Sequence, residues 1–182
     1  KSIVILGAGT IGLMVLQACK SLGATDITVV DVMDKRLDLA KELGASRTIN
    51  GAKEDTVALL RSEELFGDHG VELVFECAGS TFTANQAVQI VARGGKIMMV
   101  GTQSKPVPID FLKINREVTI QTSFRYCNNY PQTIEAIRSG KFNVKDMVTN
   151  IYDYEDVQKA FEEAIDPVKK TEMVKGVIKV AE

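Results

Sequence analysis

Three glycines and one acid carry the clearest chemical signal in this sequence. Gly7, Gly9 and Gly12 form a G-x-G-x-x-G directly after the apolar run Ser2–Leu6, and Asp31 closes the next apolar run, nineteen positions past Gly12. One glycine permits a tight turn from strand to helix, a second lets backbone approach a pyrophosphate, and a third lets helix and strand pack closely. The helix that opens there presents unpaired N–H groups and a partial positive charge to the phosphates, with Thr10 beside the glycines as a candidate cofactor-binding residue. A carboxylate at Asp31 can accept both hydroxyls of a ribose. The combination of strand, glycine turn, helix, strand and acid points to dinucleotide binding.

Further candidates follow from this one. Asp31 repels a 2′-phosphate, which favours NAD over NADP. Arg36, five residues on, either accommodates a 2′-phosphate or lies beside the adenosine of NAD; with Asp31 present, NAD is the expected cofactor. Glu76-Cys77-Ala78-Gly79 ends one later apolar run, with Cys77 and Ala78 as candidates, and Val100, Gly101 and Thr102 end another. Ligands of open α/β sheets bind beyond such strand ends, and small residues there leave room for a nicotinamide ring. Ordinary turn chemistry is the competing reading. Phe124-Arg125-Tyr126-Cys127-Asn128 follows a sixth apolar run after Ser123. Its arginine, tyrosine and asparagine suit either a substrate rich in hydroxyl groups or a contact between domains. Arg93-Gly94-Gly95-Lys96 has the look of a phosphate loop but precedes its strand, so a helix C-cap is expected. Glu162 and Glu163 read as a solvated edge, and Tyr152 and Tyr154 as packing.

The elements that must position these residues are legible in the periodicity. Strands are expected at Ser2–Leu6, Ile27–Val30, Arg47–Ile49, Val71–Glu76, Lys96–Val100 and Val118–Ser123. Helices are expected at about Thr10–Leu22, Asp34–Leu43, Glu54–Phe66 and Thr81–Ala92, the first burying Ile11, Val15, Ala18 and Leu22. Gly23, Gly44, Gly67 and Gly94 fall where a left-handed residue ends a helix. Near-continuous Val/Ile strands with crossover helices predict an α/β Rossmann fold, a doubly wound six-stranded parallel sheet in the order 3-2-1-4-5-6. Beyond Lys105-Pro106-Val107-Pro108 the alternation breaks. A helix near Gln132–Ser139, a strand Val148–Tyr152, an N-cap pair Asp153 and Asp156 before a helix through Ile165, and a strand Gly176–Val180 are expected. That tail shows no crossover logic with the main sheet. The domains are read as 1–125, binding the dinucleotide, and 126–182, part of a second domain whose remainder is missing.

Composition narrows the function classes. The 182 residues carry 22 basic and 24 acidic side chains, a net charge of −2, and no basic stripe, which argues against nucleic acid or a membrane surface. No apolar run approaches the ~20 residues of a membrane span. The chain opens in a core strand without a methionine or lead-in, so a piece of a larger protein without a signal peptide is expected. Cys19, Cys77 and Cys127 make an odd count without a C-x-x-C, as expected of reduced thiols in a cytoplasmic protein. With His69 as the one histidine, a zinc site within the chain is not expected.

The glycine motif, the Asp31…Arg36 pair, Leu43-Gly44-Ala45, Arg93-Gly94-Gly95 and Val100-Gly101 resemble the zinc-type medium-chain dehydrogenases. Phe124-Arg125-Tyr126-Cys127-Asn128-x-x-Pro131 is similar to their sorbitol (L-iditol 2-) and xylitol dehydrogenase branch, as are Asn143-Val144-Lys145, Val148-Thr149 and Ala160-Phe161. The resemblance covers essentially the whole chain, as the C-terminal half of such an enzyme. It implies NAD contacts at Ile11, Asp31, Arg36, Val100–Thr102 and Ser123–Arg125, with polyol contacts at Arg125 and Tyr126. It also implies a zinc held by an N-terminal domain outside this chain, so no catalytic residue is expected here. The tail after Tyr126 would pack on that domain, and the sixth strand would lie at a homo-oligomer interface in a dimer or tetramer. The implied reaction oxidises a secondary alcohol of a polyol to a ketose. A non-catalytic NAD(H)-sensing module, a threonine or other secondary-alcohol dehydrogenase, and a methyltransferase remain as alternatives.

Overall fold

A computed structural model describes residues 1–114 and 116–181. Six strands, β1 (Ser2–Leu6), β2 (Asp26–Asp31), β3 (Arg47–Asn50), β4 (Val71–Glu76), β5 (Val91–Met99) and β6 (Thr119–Thr122), form one parallel sheet in the order β3-β2-β1-β4-β5-β6. The connecting helices are α1 (Thr10–Ser21), α2 (Asp34–Glu42), α3 (Thr56–Leu60), α4 (Thr81–Ile90) and α5 (Phe111–Ile114). The expected doubly wound α/β topology is therefore present. Alternate residues of β1 divide the core in two, as the two-residue period of a strand requires. Ile3 and Ile5 join Leu13, Leu16, Leu37 and Ala40 on the α1/α2 face, while Val4 and Leu6 join Leu60, Val74, Ala87 and Ile90 on the α3/α4 face.

Several expectations are corrected. Helix α1 is rotated from the expected phase: Gly12, Leu13, Leu16 and Gln17 are buried, whereas Ile11 and Leu22 are 53% and 88% exposed. The cause is Gly12, where a Cβ would lie 1.8 Å from the Gly7 carbonyl oxygen, so this position must face the β1 turn and fixes the rotation. The expected helix Glu54–Phe66 shrinks to Thr56–Leu60. The Asp55 carboxylate caps it by accepting from the Val57 and Ala58 N–H groups, and the Arg61 guanidinium ends it by donating to the carbonyls of Gln89 and Val91. Arg93-Gly94-Gly95 is not a helix C-cap. Helix α4 ends at Ile90 and passes straight into β5, and these residues bulge between the Val71–Val91 and Leu73–Lys96 pairs, with Gly94 at φ +66°.

The tail forms its own unit. After α6 (Tyr130–Arg138), β7 (Val148–Asp153), α7 (Val157–Ile165) and β8 (Lys175–Lys179) make a parallel two-stranded sheet with a crossover helix. Asp153 and Asp156 stand at N-cap positions, but neither side chain accepts a capping hydrogen bond. Glu163 is not a solvated edge either; it accepts from the Tyr152 hydroxyl at 2.8 Å and the Lys169 ammonium at 2.9 Å. Tyr152 is buried and Tyr154 exposed. The unit is anchored on α1: the Gln17 amide donates to the Asn143 carbonyl and accepts from the Asn143 N–H, and Met147 is buried in the α1/α2 core.

Candidate functional site

A groove of about 450 Å³ runs along the carboxyl ends of the strands. Its walls carry Gly7 and Gly9 from the β1 turn, Asp31, Val32 and Arg36 from β2 and α2, Gly51 after β3 and Thr56 from the start of α3, and Cys77, Ala78, Phe82 and Gln86 from the β4 end and α4. Six of the residues singled out from the sequence, Gly7, Gly9, Asp31, Arg36, Cys77 and Ala78, are thus brought together.

The β1 turn is built by backbone constraints. Gly7 adopts φ +104°, a conformation that excludes ordinary side chains, and a Cβ there would meet the Ala78 backbone nitrogen at 2.9 Å. Gly9 differs: a Cβ on it would meet nothing within 4 Å, so the space it leaves belongs to the groove. An open cradle at the helix N-terminus fits a phosphate-bearing ligand.

Asp31 sits at the centre. Its Oδ1 accepts from the N–H groups of Val32 (2.8 Å) and Met33 (3.0 Å), and its Oδ2 accepts from Ala8 N–H at 2.7 Å. A carboxylate offers roughly four lone-pair sites, so these bonds orient the group and leave one acceptor site on Oδ2. The Arg36 guanidinium lies 3.9 Å from that oxygen, but its hydrogen bonds go elsewhere, from Nη2 to the carbonyls of Lys170 (3.3 Å) and Met173 (3.2 Å). Thr10 likewise turns to the tail, its hydroxyl donating to the Val174 carbonyl at 2.7 Å.

Past β4 the organising residue is one that the sequence placed at the strand end without a role of its own. Glu76 is fully buried. Its Oε1 accepts from Ala78 N–H, Gly79 N–H and the Thr83 hydroxyl at 3.0, 2.9 and 2.7 Å, and its Oε2 from the Gln103 amide at 2.9 Å. Four donors compensate the desolvated carboxylate and tie the loop after β4 to the loop after β5. The available signal was an acid ending a central strand before small residues whose N–H groups needed an acceptor. Gly101 packs into the same junction, where a Cβ would lie 2.4 Å from the Gly79 nitrogen. Burial, reinforced by the neighbouring Glu76, pushes the Cys77 thiol up to about 12.

The remaining sequence candidates lie off the groove walls. Val100 and Gly101 donate backbone N–H groups to the Glu76 carbonyl, and Ser123 donates its own to Met99. Phe124, Arg125 and Tyr126 are exposed beyond β6; the Arg125 guanidinium stacks 5.0 Å from the Phe124 ring, and Tyr126 meets Tyr130 edge to face at 5.0 Å. Among the described residues, no three His, Cys, Asp or Glu side chains converge as metal ligands, and no helix is long and apolar enough to cross a membrane.

Comparison with known proteins places this geometry. Residues 10–139 match the family described as zinc-binding dehydrogenase. The chain is 62% identical over its full length to an uncharacterized zinc-type alcohol dehydrogenase-like protein of Escherichia coli, covering 51% of that protein. It is 38% identical over 90% of its length to the sorbitol dehydrogenase of Bacillus subtilis, covering 46% of it. A solved Escherichia coli oxidoreductase/dehydrogenase of unknown specificity, described as involved in membrane biogenesis, superposes with a TM-score of 0.94 at 61% identity, over 100% of this chain and 51% of that one. The chain thus spans about half the length of the relatives it matches.

Proposed function

Because the chain belongs to the zinc-binding dehydrogenase family, we propose that it is the NAD-binding portion of a zinc-dependent polyol dehydrogenase. In that reading the parent oxidises a secondary alcohol of a sugar alcohol to a ketose by hydride transfer to NAD. The observation that carries it is the groove joining the open cradle at Gly9 to the oriented carboxylate of Asp31. Gly7, Gly9 and the α1 N-terminus hold the pyrophosphate, and Asp31 Oδ2 accepts a ribose hydroxyl. A carboxylate there disfavours a 2′-phosphate, and the nearest cation, Arg36, spends its Nη2 on tail carbonyls, which supports NAD over NADP.

When bound, NAD supplies the hydride acceptor, and the chain's own task is orientation. The zinc ligands belong to the part of the parent outside this chain, so the chain alone is inactive. Residues 1–125 make the NAD-binding domain, and 126–182 pack toward the absent N-terminal zinc catalytic domain. The exposed apolar side chains Ile151, Phe161, Ile165 and Val168 support that packing. Arg125 and Tyr126 bind polyol hydroxyls, a reading supported by their exposure beyond β6 and by the sorbitol dehydrogenase relative. The exposed edge strand β6 supports a homo-oligomer, and the three free cysteines support a cytoplasmic location.

Calorimetric titration tests the cofactor assignment: NAD is expected to bind at least tenfold more tightly than NADP, and tighter NADP would refute the role of Asp31. In the full-length parent, Arg125→Ala is expected to lower polyol turnover more than NAD affinity. Unchanged kinetics on sorbitol and xylitol would remove Arg125 from the substrate site.

A further inference from the structure

The tail reaches back to the groove through one short segment. Between α7 and β8 the chain makes a single 3-10 turn, Lys169–Thr171, and runs on through Val174. This segment meets both helices that border the groove at Asp31. The Arg36 guanidinium of α2 donates from Nη2 to the Lys170 and Met173 carbonyls, at 3.3 and 3.2 Å. The Thr10 hydroxyl at the start of α1 donates to the Val174 carbonyl at 2.7 Å, and the Lys35 ammonium pairs with Glu172 at 2.7 Å. Val174 itself packs on the α1/α2 core. The Arg36 Nε is buried without an acceptor, and Nη1 lies 3.9 Å from Asp31 Oδ2, beyond hydrogen-bond range. A buried donor without a partner is costly, so the tail holds this side chain against a penalty.

We propose that the segment Lys170–Val174 is a specificity determinant for the cofactor, locking Arg36 so that its guanidinium cannot receive a 2′-phosphate. This role rests on the dinucleotide reading above and adds a second cause of NAD selectivity, remote in sequence from Asp31. A guanidinium grips a phosphate through one of two forked edges, Nη1 with Nη2 or Nε with Nη2. Both edges include Nη2. That nitrogen has two protons, and the two tail carbonyls take both, so neither fork is offered to the groove. Arg36 lines the groove beside Asp31, where a free fork would face a phosphate on the ribose that Asp31 holds. Asp31 therefore repels the extra phosphate while the tail withholds the cation that would compensate it.

Calorimetric titration with NAD, NADP, AMP and adenosine 2′,5′-bisphosphate tests the lock. Thr171→Pro lies off the groove and opens the segment. It removes the Thr171 N–H bond to the Val168 carbonyl and drives Lys170 out of its helical conformation, turning the Lys170 carbonyl away. The Met173 N–H donates to that same carbonyl, so the second acceptor of Arg36 is loosened too. NADP and adenosine 2′,5′-bisphosphate are expected to gain about tenfold or more, the ratio that one charged hydrogen bond supports, with NAD and AMP within about threefold of wild type. If the whole tail comes loose, Arg36 is freed equally and the same gain is expected. Asp166→Ala, which removes the acceptor of the Val168 and Lys169 N–H groups, is milder and is expected to gain about threefold. The gain is expected to vanish when Arg36→Met is combined with Thr171→Pro. Unchanged 2′-phosphate affinity in whichever of the two tail variants fold, or a gain that persists without Arg36, overturns the lock and leaves Asp31 as the determinant. Failure of the wild type to bind any of the four ligands would overturn the dinucleotide reading itself, and the lock with it.

Discussion

Gly12 and Gly9 stand three residues apart in one motif, and the structure separates their roles sharply enough to test. A methyl group on Gly12 would sit 1.8 Å from the Gly7 carbonyl oxygen, where a carbon–oxygen contact needs about 3.3 Å. Both partners are held, one in the turn after a central strand and one in the first turn of α1, so the helix must retreat by about 1.5 Å there. A gap of half an ångström to an ångström already forfeits about a quarter to a half of a packing contact. Leu13 and Leu16 are fully buried against β1, and each contributes about 1.5–3 kcal/mol by burial. Gly12→Ala is therefore expected to cost about 3 kcal/mol, allowing for strain in the overpacked turn. Gly9 has φ −72° and ψ −175°, a conformation any residue adopts, and open space where its side chain would be. Gly9→Ala is expected to change stability by less than about 1 kcal/mol. Its methyl group would nevertheless enter the cradle proposed above for the pyrophosphate, and is expected to weaken NAD at least tenfold. Urea denaturation followed by circular dichroism reads the first effect, and calorimetry with NAD reads the second. The reasoning is refuted if Gly12→Ala is as stable as the wild type, or if Gly9→Ala binds NAD undiminished.

Two further outcomes follow from the β4 end. Replacing Glu76 with Gln leaves one acceptor oxygen and turns an amide toward groups that donate, so stability should drop by about 2 kcal/mol or more; an unchanged urea midpoint would show that the four bonds contribute little. Cys77 is a thiol whose folded pKa, about 12, lies above its ordinary value, so its stability contribution is intact below about pH 9. Above that pH the unfolded chain loses the proton that the folded chain keeps, and stability should fall by about 1.4 kcal/mol per pH unit up to about 12. Replacing Cys77 with Ala should flatten that alkaline limb, and an identical limb in the variant would refute the assignment. Exposed Cys127 should react with a thiol reagent well before Cys77 in the native protein.

Much of the architecture was legible because it rests on local chemistry. The two-residue period of β1, the near-continuous apolar runs and the punctuating glycines specify parallel strands with crossovers, and the strand order follows from packing such units. The same holds for the core of the site: the spacing of Gly7, Gly9, Gly12 and Asp31 describes one turn, one helix and the return to the neighbouring strand. Where reading failed, a distant partner had the deciding role. The periodicity of α1 admits more than one rotation, and the contact of Gly12 with the Gly7 carbonyl selects among them. The stretch after Leu60 has helical composition, but the Arg61 guanidinium ends the helix on carbonyls about thirty residues away.

The amino-acid sequence by itself determined the α/β class, the glycine turn and the acid that ends the next strand, which rest on patterns along short stretches of chain. It also made the sheet order legible through the doubly wound pattern, although that order pairs β1 with β4, about seventy residues on. Tertiary structure decided which groups remain free to act. It gave Arg36 to carbonyls 134 and 137 residues away, gave Thr10 to Val174, and gathered Ala78, Gly79, Thr83 and Gln103 around Glu76. It also left the Thr56 hydroxyl buried and unpaired at the edge of the groove. Hydrogen-bond capacity is shared among whatever side chains and carbonyls packing brings together, and spacing along the chain carries no record of that sharing.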